Sequence, residues 1–178
     1  RAALSTLTLG LGSFKSGALQ KINYSRELKA DVIIIGGGLG GCAAALSSLK
    51  SGLTVIMCEE TDWIGGQLTS QGVPPDEHRW IEKFGCTKSY RKFRTLVREF
   101  YKKNYKLSPQ AKNIAPLNPG KGSVSRLCAE PKVYLKCIES LLNEYIQNKR
   151  LTLLKNTIVK SAEMETNEIR SVKVKNKS

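Results

Sequence analysis

The chain has 178 residues, of which 40% are hydrophobic, so it is long enough to bury a domain-sized core. Its 29 lysine and arginine residues outweigh 15 acidic residues, and the formal net charge of +14 would suit nucleic acid or a membrane surface as a partner. Five cysteines without a CxxC pair, and a single histidine, argue against a zinc or iron–sulfur site within this segment.

The first twelve residues are mostly apolar, and small residues and a polar segment follow them. This stretch is too short to span a bilayer and resembles the tail of an export signal. Residues 1–29 are therefore interpreted as an N-terminal arm or the remnant of such a signal. We favour export, and a cytoplasmic protein with a flexible arm is the alternative. Because the chain begins without methionine and stops in a lysine-rich stretch, we expect it to be part of a longer protein.

An apolar, β-branched run from Val32 to Ile35 predicts a strand that is buried on both faces. Three regularly spaced glycines begin where this run stops. In a strand–turn–helix unit, Gly36 permits the tight turn, Gly38 lets the backbone approach a pyrophosphate, and Gly41 lets the helix pack close to the sheet. A helix that begins near Leu39 directs its unpaired N–H groups and positive dipole end at the phosphates.

The second half of this unit follows directly. Small apolar residues from Ala43 to Leu49 suit a helix lying on a sheet, Gly52 ends the helix, and residues 53–58 form a second apolar run. Glu59, at the end of that run, can accept hydrogen bonds from both hydroxyls of a ribose, whereas a 2′-phosphate would be repelled. The order of strand, glycines, helix, second strand and acidic residue predicts a site for a dinucleotide without a 2′-phosphate. An ordinary glycine-rich turn is the alternative.

Two adjacent glycines, Gly65 and Gly66, follow the acidic residue after a short interval. The glycine register together with this doublet resembles the FAD-containing members of the glutathione-reductase-like flavoproteins. From Asp31 to the end, the chain resembles a bacterial family of FAD-dependent oxidoreductases grouped loosely with the flavin subunit of heterodisulfide reductase. The segments that carry this second resemblance are residues 65–78, 80–85, 89–94, 117–122 and 127–131.

This resemblance implies an α/β, Rossmann-like FAD/NAD(P)-binding fold with a parallel sheet, inserted helices and a β-hairpin or meander, incomplete at the C-terminus. The FAD-binding domain would cover residues 30–178, with a helical insertion at about 74–148. Family members continue with a further half that completes the sheet and closes the flavin site. We therefore expect that C-terminal half as a partner within the same protein.

The resemblance also implies FAD as the cofactor and a set of residues that bind it. They are the turn and helix start at Gly36, Gly38, Leu39, Gly40 and Gly41, the acidic pair Glu59 and Glu60, and Gly65, Gly66 and Gln67 on the route to the flavin. An equal alternative for Gln67 is a loop amide that bonds its own backbone.

The segment Pro74 to Glu77 predicts a helix start and Gly85 its end. His78 lies within this element, and as the only histidine it is a candidate proton donor or acceptor near the flavin. The alternative is a surface or hydrogen-bonded structural histidine. Residues 108–122 carry turn residues throughout and predict a long loop.

The densest basic cluster, between residues 91 and 106, alternates with apolar residues at helical spacing. It predicts an amphipathic helix with a solvated basic face. The alternatives are a face that attracts an anionic substrate or partner and, less simply, a nucleic-acid surface.

Glu130 and Pro131 open another predicted helix, residues 151–154 a strand, and residues 158–175 an antiparallel hairpin. Cys42 and Cys58 are expected to be small buried residues, whereas Cys86 and Cys128 fall in predicted loops and are candidates for reactivity.

The sequence is thus identified as the FAD-binding portion of an oxidoreductase that passes a hydride or two electrons from a small organic substrate to FAD. An anionic substrate would suit the basic chain; no specific nucleic acid, transmembrane segment or metal is expected, and this portion alone is expected to be inactive. Two alternatives stay open: a nucleotide- or nucleic-acid-binding module without redox activity, and an electron-transfer flavoprotein subunit whose iron–sulfur clusters lie outside this segment.

Overall fold

A computed structural model describes the backbone of residues 5–10 and 25–177 and the side chains of residues 26–177. The elements, in chain order, are β1 (Ser5–Gly10), β2 (Ser25–Ala30), β3 (Val32–Ile35), α1 (Leu39–Lys50), β4 (Val55–Cys58), a 3₁₀ turn (Gly66–Leu68), α2 (Lys88–Asn104), α3 (Pro109–Lys112), α4 (Pro131–Gln147), β5 (Leu151–Leu154), β6 (Thr157–Glu165) and β7 (Glu168–Asn176). Most of the predicted export-signal remnant lies outside the described residues.

A three-stranded parallel sheet in the order β3-β4-β5 forms the centre of the molecule. Helix α1 connects β3 to β4, and the segment carrying α2, α3 and α4 connects β4 to β5. This confirms the predicted Rossmann-like α/β architecture with inserted helices, because parallel neighbours require crossover connections of this kind. The helix beginning at Leu39 and the strand at residues 151–154 are confirmed at their predicted positions.

The central strand β4 separates two cores. Val55 and Met57 pack with the helices, whereas Ile56 and Cys58 pack with the second sheet. Successive side chains of a strand point to opposite faces, so a run of four apolar residues serves both layers at once. The molecule is therefore built as helices, parallel sheet and second sheet in three layers.

The second sheet has the order β2-β1-β7-β6. Strands β6 and β7 form the predicted antiparallel hairpin, which is confirmed. Strands β1 and β2 pair with each other, and β1 runs parallel to β7, so residues interpreted as an N-terminal arm extend this sheet. The polar sequence Ser25–Ala30 carries too weak an alternation to predict a strand.

The prediction that Val32–Ile35 is buried on both faces is wrong. Within the described residues β3 pairs only with β4, its residues are partly buried, and Ile35 is 50% exposed. Because β3 lies at the edge of the parallel sheet in the described residues, fewer neighbouring side chains cover it.

The helix predicted to begin at Pro74 and end at Gly85 is also wrong, because this segment consists of loop and turns. The second of two adjacent prolines disfavours helical backbone at the first. The Glu77 carboxylate binds Arg94 and Tyr90 of α2 instead of stabilising a first helical turn. His78 therefore lies in a loop.

Helix α2 is confirmed, but its predicted solvated basic face needs correction. Lys92, Lys102, Lys103 and Lys106 are exposed, whereas Arg94 is fully buried and Arg98 is partly buried. The apolar side of the helix packs on α4, where the rings of Phe93 and Tyr134 lie 6.0 Å apart.

Candidate functional site

The turn between β3 and α1 depends on the absence of side chains. Gly36 has a φ of +97°, which favours glycine, and its N–H donates to the Cys58 carbonyl at 3.0 Å. A Cβ on Gly41 would lie 2.0 Å from the Gly36 carbonyl oxygen, so only glycine lets the helix approach the turn. Two of the three predicted glycine tasks therefore have a geometric basis.

Gly38 is different, because its backbone is extended and a Cβ there would meet no atom within 4 Å. The direction in which a Gly38 side chain would point is therefore open. Helix α1 begins at the next residue, so the N–H groups of its first turn have no acceptor within the helix. An open glycine at a helix start is the arrangement that lets a phosphate come close to the backbone.

The glycine doublet lies directly against this turn. The Gly65 N–H donates to the Gly37 carbonyl at 2.7 Å, and a Cβ on Gly66 would lie 3.1 Å from the Gly38 Cα. Both glycines of the doublet have positive φ angles, +106° and +52°. Residues separated by almost thirty positions thus form one continuous backbone surface.

Glu59 is 7% exposed and is held by its own backbone and by its carboxylate. Its N–H donates to the Leu154 carbonyl and its carbonyl accepts from the Thr157 N–H, at 2.9 and 2.8 Å. Oε2 accepts from the Gly37 N–H at 2.9 Å, and Oε1 accepts from the N–H and hydroxyl of Thr61 at 2.9 and 2.8 Å. The carboxylate is therefore oriented by hydrogen bonds from the protein itself.

A crevice of about 680 Å³ opens beside these groups, within the usual size range of ligand sites. Of the predicted cofactor-binding residues, Gly36, Gly38, Glu59, Glu60 and Gly66 line it. The other lining residues come from the ends of β3 and β4, the loops before and after the doublet, and the start of β6: Ile35, Cys58, Thr61, Ser70, Gln71, Thr157, Ile158 and Val159. Open backbone and an acidic side chain thus line the same crevice, and this combination fits a diphosphate and its adjoining ribose.

The remaining predicted residues lie elsewhere. Leu39, Gly40 and Gln67 line a second cavity of about 290 Å³, while Gly41 and Gly65 serve packing. The Gln67 amide donates to the Pro74 carbonyl at 3.3 Å, as the loop-amide alternative expects. A cofactor role for Gln67 stays a prediction.

His78 is exposed and lines neither cavity. Its Nδ1 accepts from the Trp80 N–H at 3.2 Å, and its ring lies 6.0 Å from that of Phe84. A Cβ on Gly85 would lie 2.4 Å from His78 Nε2, so the ring packs on that glycine. The catalytic role of His78 stays a prediction.

A buried ion-pair cluster fastens the loop after the doublet to α2. The Arg94 guanidinium binds Glu77 and Glu82, and Arg98 also binds Glu82. Burial alone would raise the pKa of Glu82, but the hydrogen bond from Arg98 and the charges of both arginines hold that pKa below its usual range. The Tyr90 hydroxyl donates to Glu77 at 2.6 Å.

The cysteines behave largely as expected. Burial raises the pKa of Cys42 to about 12, and burial likewise raises the pKa values of Cys58 and Cys137 to about 11. Cys86 is partly exposed, whereas the predicted loop residue Cys128 is buried. The part of the chain that the structure describes contains no group of three side chains suited to a metal ion.

Sequence reasoning missed two residues that orient the Glu59 carboxylate. Gly37, between Gly36 and Gly38, had no predicted role, yet a Cβ there would lie 2.9 Å from the Glu59 Cβ. Thr61 supplies two of the three hydrogen bonds that the Glu59 carboxylate accepts. A threonine two residues after the acid was the only available signal, since such residues often bond nearby groups.

Comparison with known proteins gave one family and several distant relatives. The family described as FAD dependent oxidoreductase matches residues 31–178. Dihydrolipoyl dehydrogenase of Manduca sexta is 32% identical over 73 residues, which cover 40% of this chain and 15% of that protein. The chain thus spans less than a sixth of the length of this relative.

Among solved structures, L-proline dehydrogenase from P. horikoshii is 22% identical, with a TM-score of 0.42 over 80% of this chain and 48% of that one. OTEMO in complex with FAD and NADP is 20% identical, with a TM-score of 0.40 over 82% of this chain and 22% of that one.

Among the helices of the described residues, none has the length and apolar character needed to cross a membrane.

Proposed function

Because the chain belongs to the family of FAD dependent oxidoreductases, we propose that its crevice holds the adenosine diphosphate part of FAD. The diphosphate would lie at Gly36, Gly38 and the start of α1, and the adenosine ribose at Glu59. The observation that carries this proposal is the pairing of open backbone at Gly38 with an oriented, buried carboxylate on the same crevice wall. FAD supplies the two-electron acceptor when it is bound.

The chain's own residues would bind FAD, orient it and discriminate against other dinucleotides. Backbone N–H groups at the α1 start favour negative charge, each interaction contributing about 0.3–1 kcal/mol at an exposed site. Glu59 would accept hydrogen bonds from ribose hydroxyls and repel a 2′-phosphate, so the site selects FAD over a 2′-phosphorylated dinucleotide. We further propose that Leu39, Gly40 and Gln67, around the second cavity, lie toward the flavin end.

The ion-pair cluster supports the redox function over a nucleic-acid-binding module. Arg94 and Arg98, which the sequence placed on a solvated basic face, bind Glu77 and Glu82 and are not free for phosphates. Nucleic-acid binding by the exposed lysines would weaken steeply as the salt concentration rises. We expect no sequence-specific binding to nucleic acid.

The whole protein would transfer a hydride or two electrons from a small organic substrate to FAD, with His78 as a proposed proton donor or acceptor. We propose an anionic substrate, since the net charge of +14 raises the local concentration of anions. The turnover of anionic substrates should then fall with ionic strength more steeply than that of neutral analogues.

The visible absorption spectrum of the purified whole protein tests the cofactor assignment. We expect the yellow absorption of oxidised flavin, and mass spectrometry of the released cofactor should identify FAD rather than FMN, because FMN lacks the diphosphate and adenosine. Iron analysis of the same sample examines the electron-transfer alternative. A colourless protein purified with and without added FAD would contradict the proposal.

A further inference from the structure

The Glu59 carboxylate has few acceptor positions left for a ligand. An ionised carboxylate offers about four lone-pair positions. Gly37 fills one on Oε2, and the N–H and hydroxyl of Thr61 fill two on Oε1. A ribose that presents two hydroxyls to Glu59 therefore needs a position that Thr61 occupies.

The Thr61 hydroxyl has a second acceptor within reach. Its Oγ1 lies 2.8 Å from Glu59 Oε1 and 2.9 Å from the Trp63 carbonyl oxygen, and it accepts from the Trp63 N–H at 3.2 Å. A hydroxyl carries one hydrogen and donates to one of these oxygens at a time. Rotation about the Cβ–Oγ1 bond changes the acceptor without moving any heavy atom.

We propose that Thr61 is a positioning residue whose hydroxyl bonds Glu59 when no nucleotide is bound and turns to the Trp63 carbonyl when a ribose hydroxyl takes its place. This inference rests on the proposed function, because it assumes that an adenosine ribose reaches Glu59. The exchange leaves every donor paired in both states. The Thr61 N–H keeps its bond to Oε1 throughout, so Glu59 stays oriented while it accepts both ribose hydroxyls.

The exchange predicts that removing a ribose hydroxyl lowers the affinity of the wild type less than that of a variant without the Thr61 hydroxyl. In the wild type, the Thr61 hydroxyl returns to Glu59 when a deoxyribose is bound and replaces the missing donor. In Thr61→Val, which removes the hydroxyl and keeps the N–H, nothing replaces it. Hydrogen bonds to a carboxylate are roughly twice as strong as those to a neutral carbonyl, so the variant should discriminate more sharply.

The experiment measures the affinity of the flavin-free whole protein for ADP, 2′-deoxy-ADP and 3′-deoxy-ADP by isothermal titration calorimetry. The quantity of interest is the ratio of Kd for each deoxy nucleotide to Kd for ADP. We expect at least one ratio to be about five- to tenfold larger in Thr61→Val than in the wild type. Thr61→Ser, which keeps the hydroxyl, should restore the wild-type ratio.

Ratios that are equal within twofold in wild type and Thr61→Val would overturn the exchange, and so would ratios that fall toward one in the variant. The second result would mean that Thr61 only supports Glu59. Thermal unfolding checks each variant, and Thr61→Ala replaces Thr61→Val if the latter does not fold. A wild-type protein that binds no ADP would instead overturn the proposed function itself.

Discussion

Two neighbouring regions of this protein are built by opposite means. The unit from β3 to β4 shapes its crevice with missing side chains, since a Cβ on Gly41 or Gly37 would collide with the turn or with Glu59. The insertion after the doublet is held by long charged side chains, with Arg94 buried between Glu77 and Glu82. The first region exposes backbone to a ligand, whereas the second uses its charges internally.

Basic side chains in this chain do not coincide with the proposed anion site. The fully buried arginine contributes to loop attachment, and the proposed diphosphate site contains no basic side chain among its lining residues. Anion binding through backbone N–H groups and a helix start needs no formal positive charge.

Removing the buried arginine of the charged region should lower the stability of the fold more than any other change proposed here. Arg94→Ala leaves the buried Glu77 carboxylate without its positively charged partner, and we expect the free energy of unfolding to fall by about 3–5 kcal/mol. Lys92→Ala, on the exposed side of the same helix, should change it by less than about 0.5 kcal/mol. Chemical denaturation measures both, and similar losses in the two variants would show that the cluster does not stabilise the fold.

A steric collision in the glycine region should lower the free energy of unfolding by a smaller but measurable amount. Gly41→Ala places a methyl group 2.0 Å from the Gly36 carbonyl oxygen, and relieving this collision should cost about 1–3 kcal/mol of unfolding free energy. Ala44→Val, at an exposed position of the same helix, is the matched control. A melting temperature unchanged by Gly41→Ala would contradict the close helix–turn contact.

Thiol labelling compares the accessibility of the five cysteines without changing the sequence. At pH 8 the raised pKa values keep Cys42, Cys58 and Cys137 protonated and unreactive, because only the thiolate attacks. We expect iodoacetamide to modify Cys86 rapidly and the four buried cysteines at least tenfold more slowly. Peptide mass spectrometry locates the label. Fast labelling of Cys42 would indicate that the glycine region opens readily.

The sequence predicted the glycine region well because its information is local. A strand, a glycine register and a helix start lie within about twenty residues, and each constrains the backbone directly. Helices α2 and α4 and the β6–β7 hairpin were also predictable from periodicity and turn residues.

The attachment of residues 74–85 to α2 was predicted poorly because its contacts are distant in the chain. Glu77 and Arg94 are seventeen residues apart, and Ser125, which donates to Glu77 at 3.3 Å, is forty-eight residues from it. Charge pattern alone assigned Arg94 to solvent and Glu77 to a helix start. The orientation of Glu59 by Thr61 likewise depends on side-chain geometry that residue spacing does not reveal.

Calorimetric titration of wild type and Gly38→Val with ADP tests whether a diphosphate binds at the open backbone of Gly38. Valine at this extended, open position should leave the melting temperature unchanged and block the approach of the diphosphate. We predict that affinity for ADP falls at least about a hundredfold in Gly38→Val, equivalent to about 2.7 kcal/mol, while Ala44→Val binds like the wild type. Equal ADP affinity in wild type and a folded Gly38→Val variant would contradict the account.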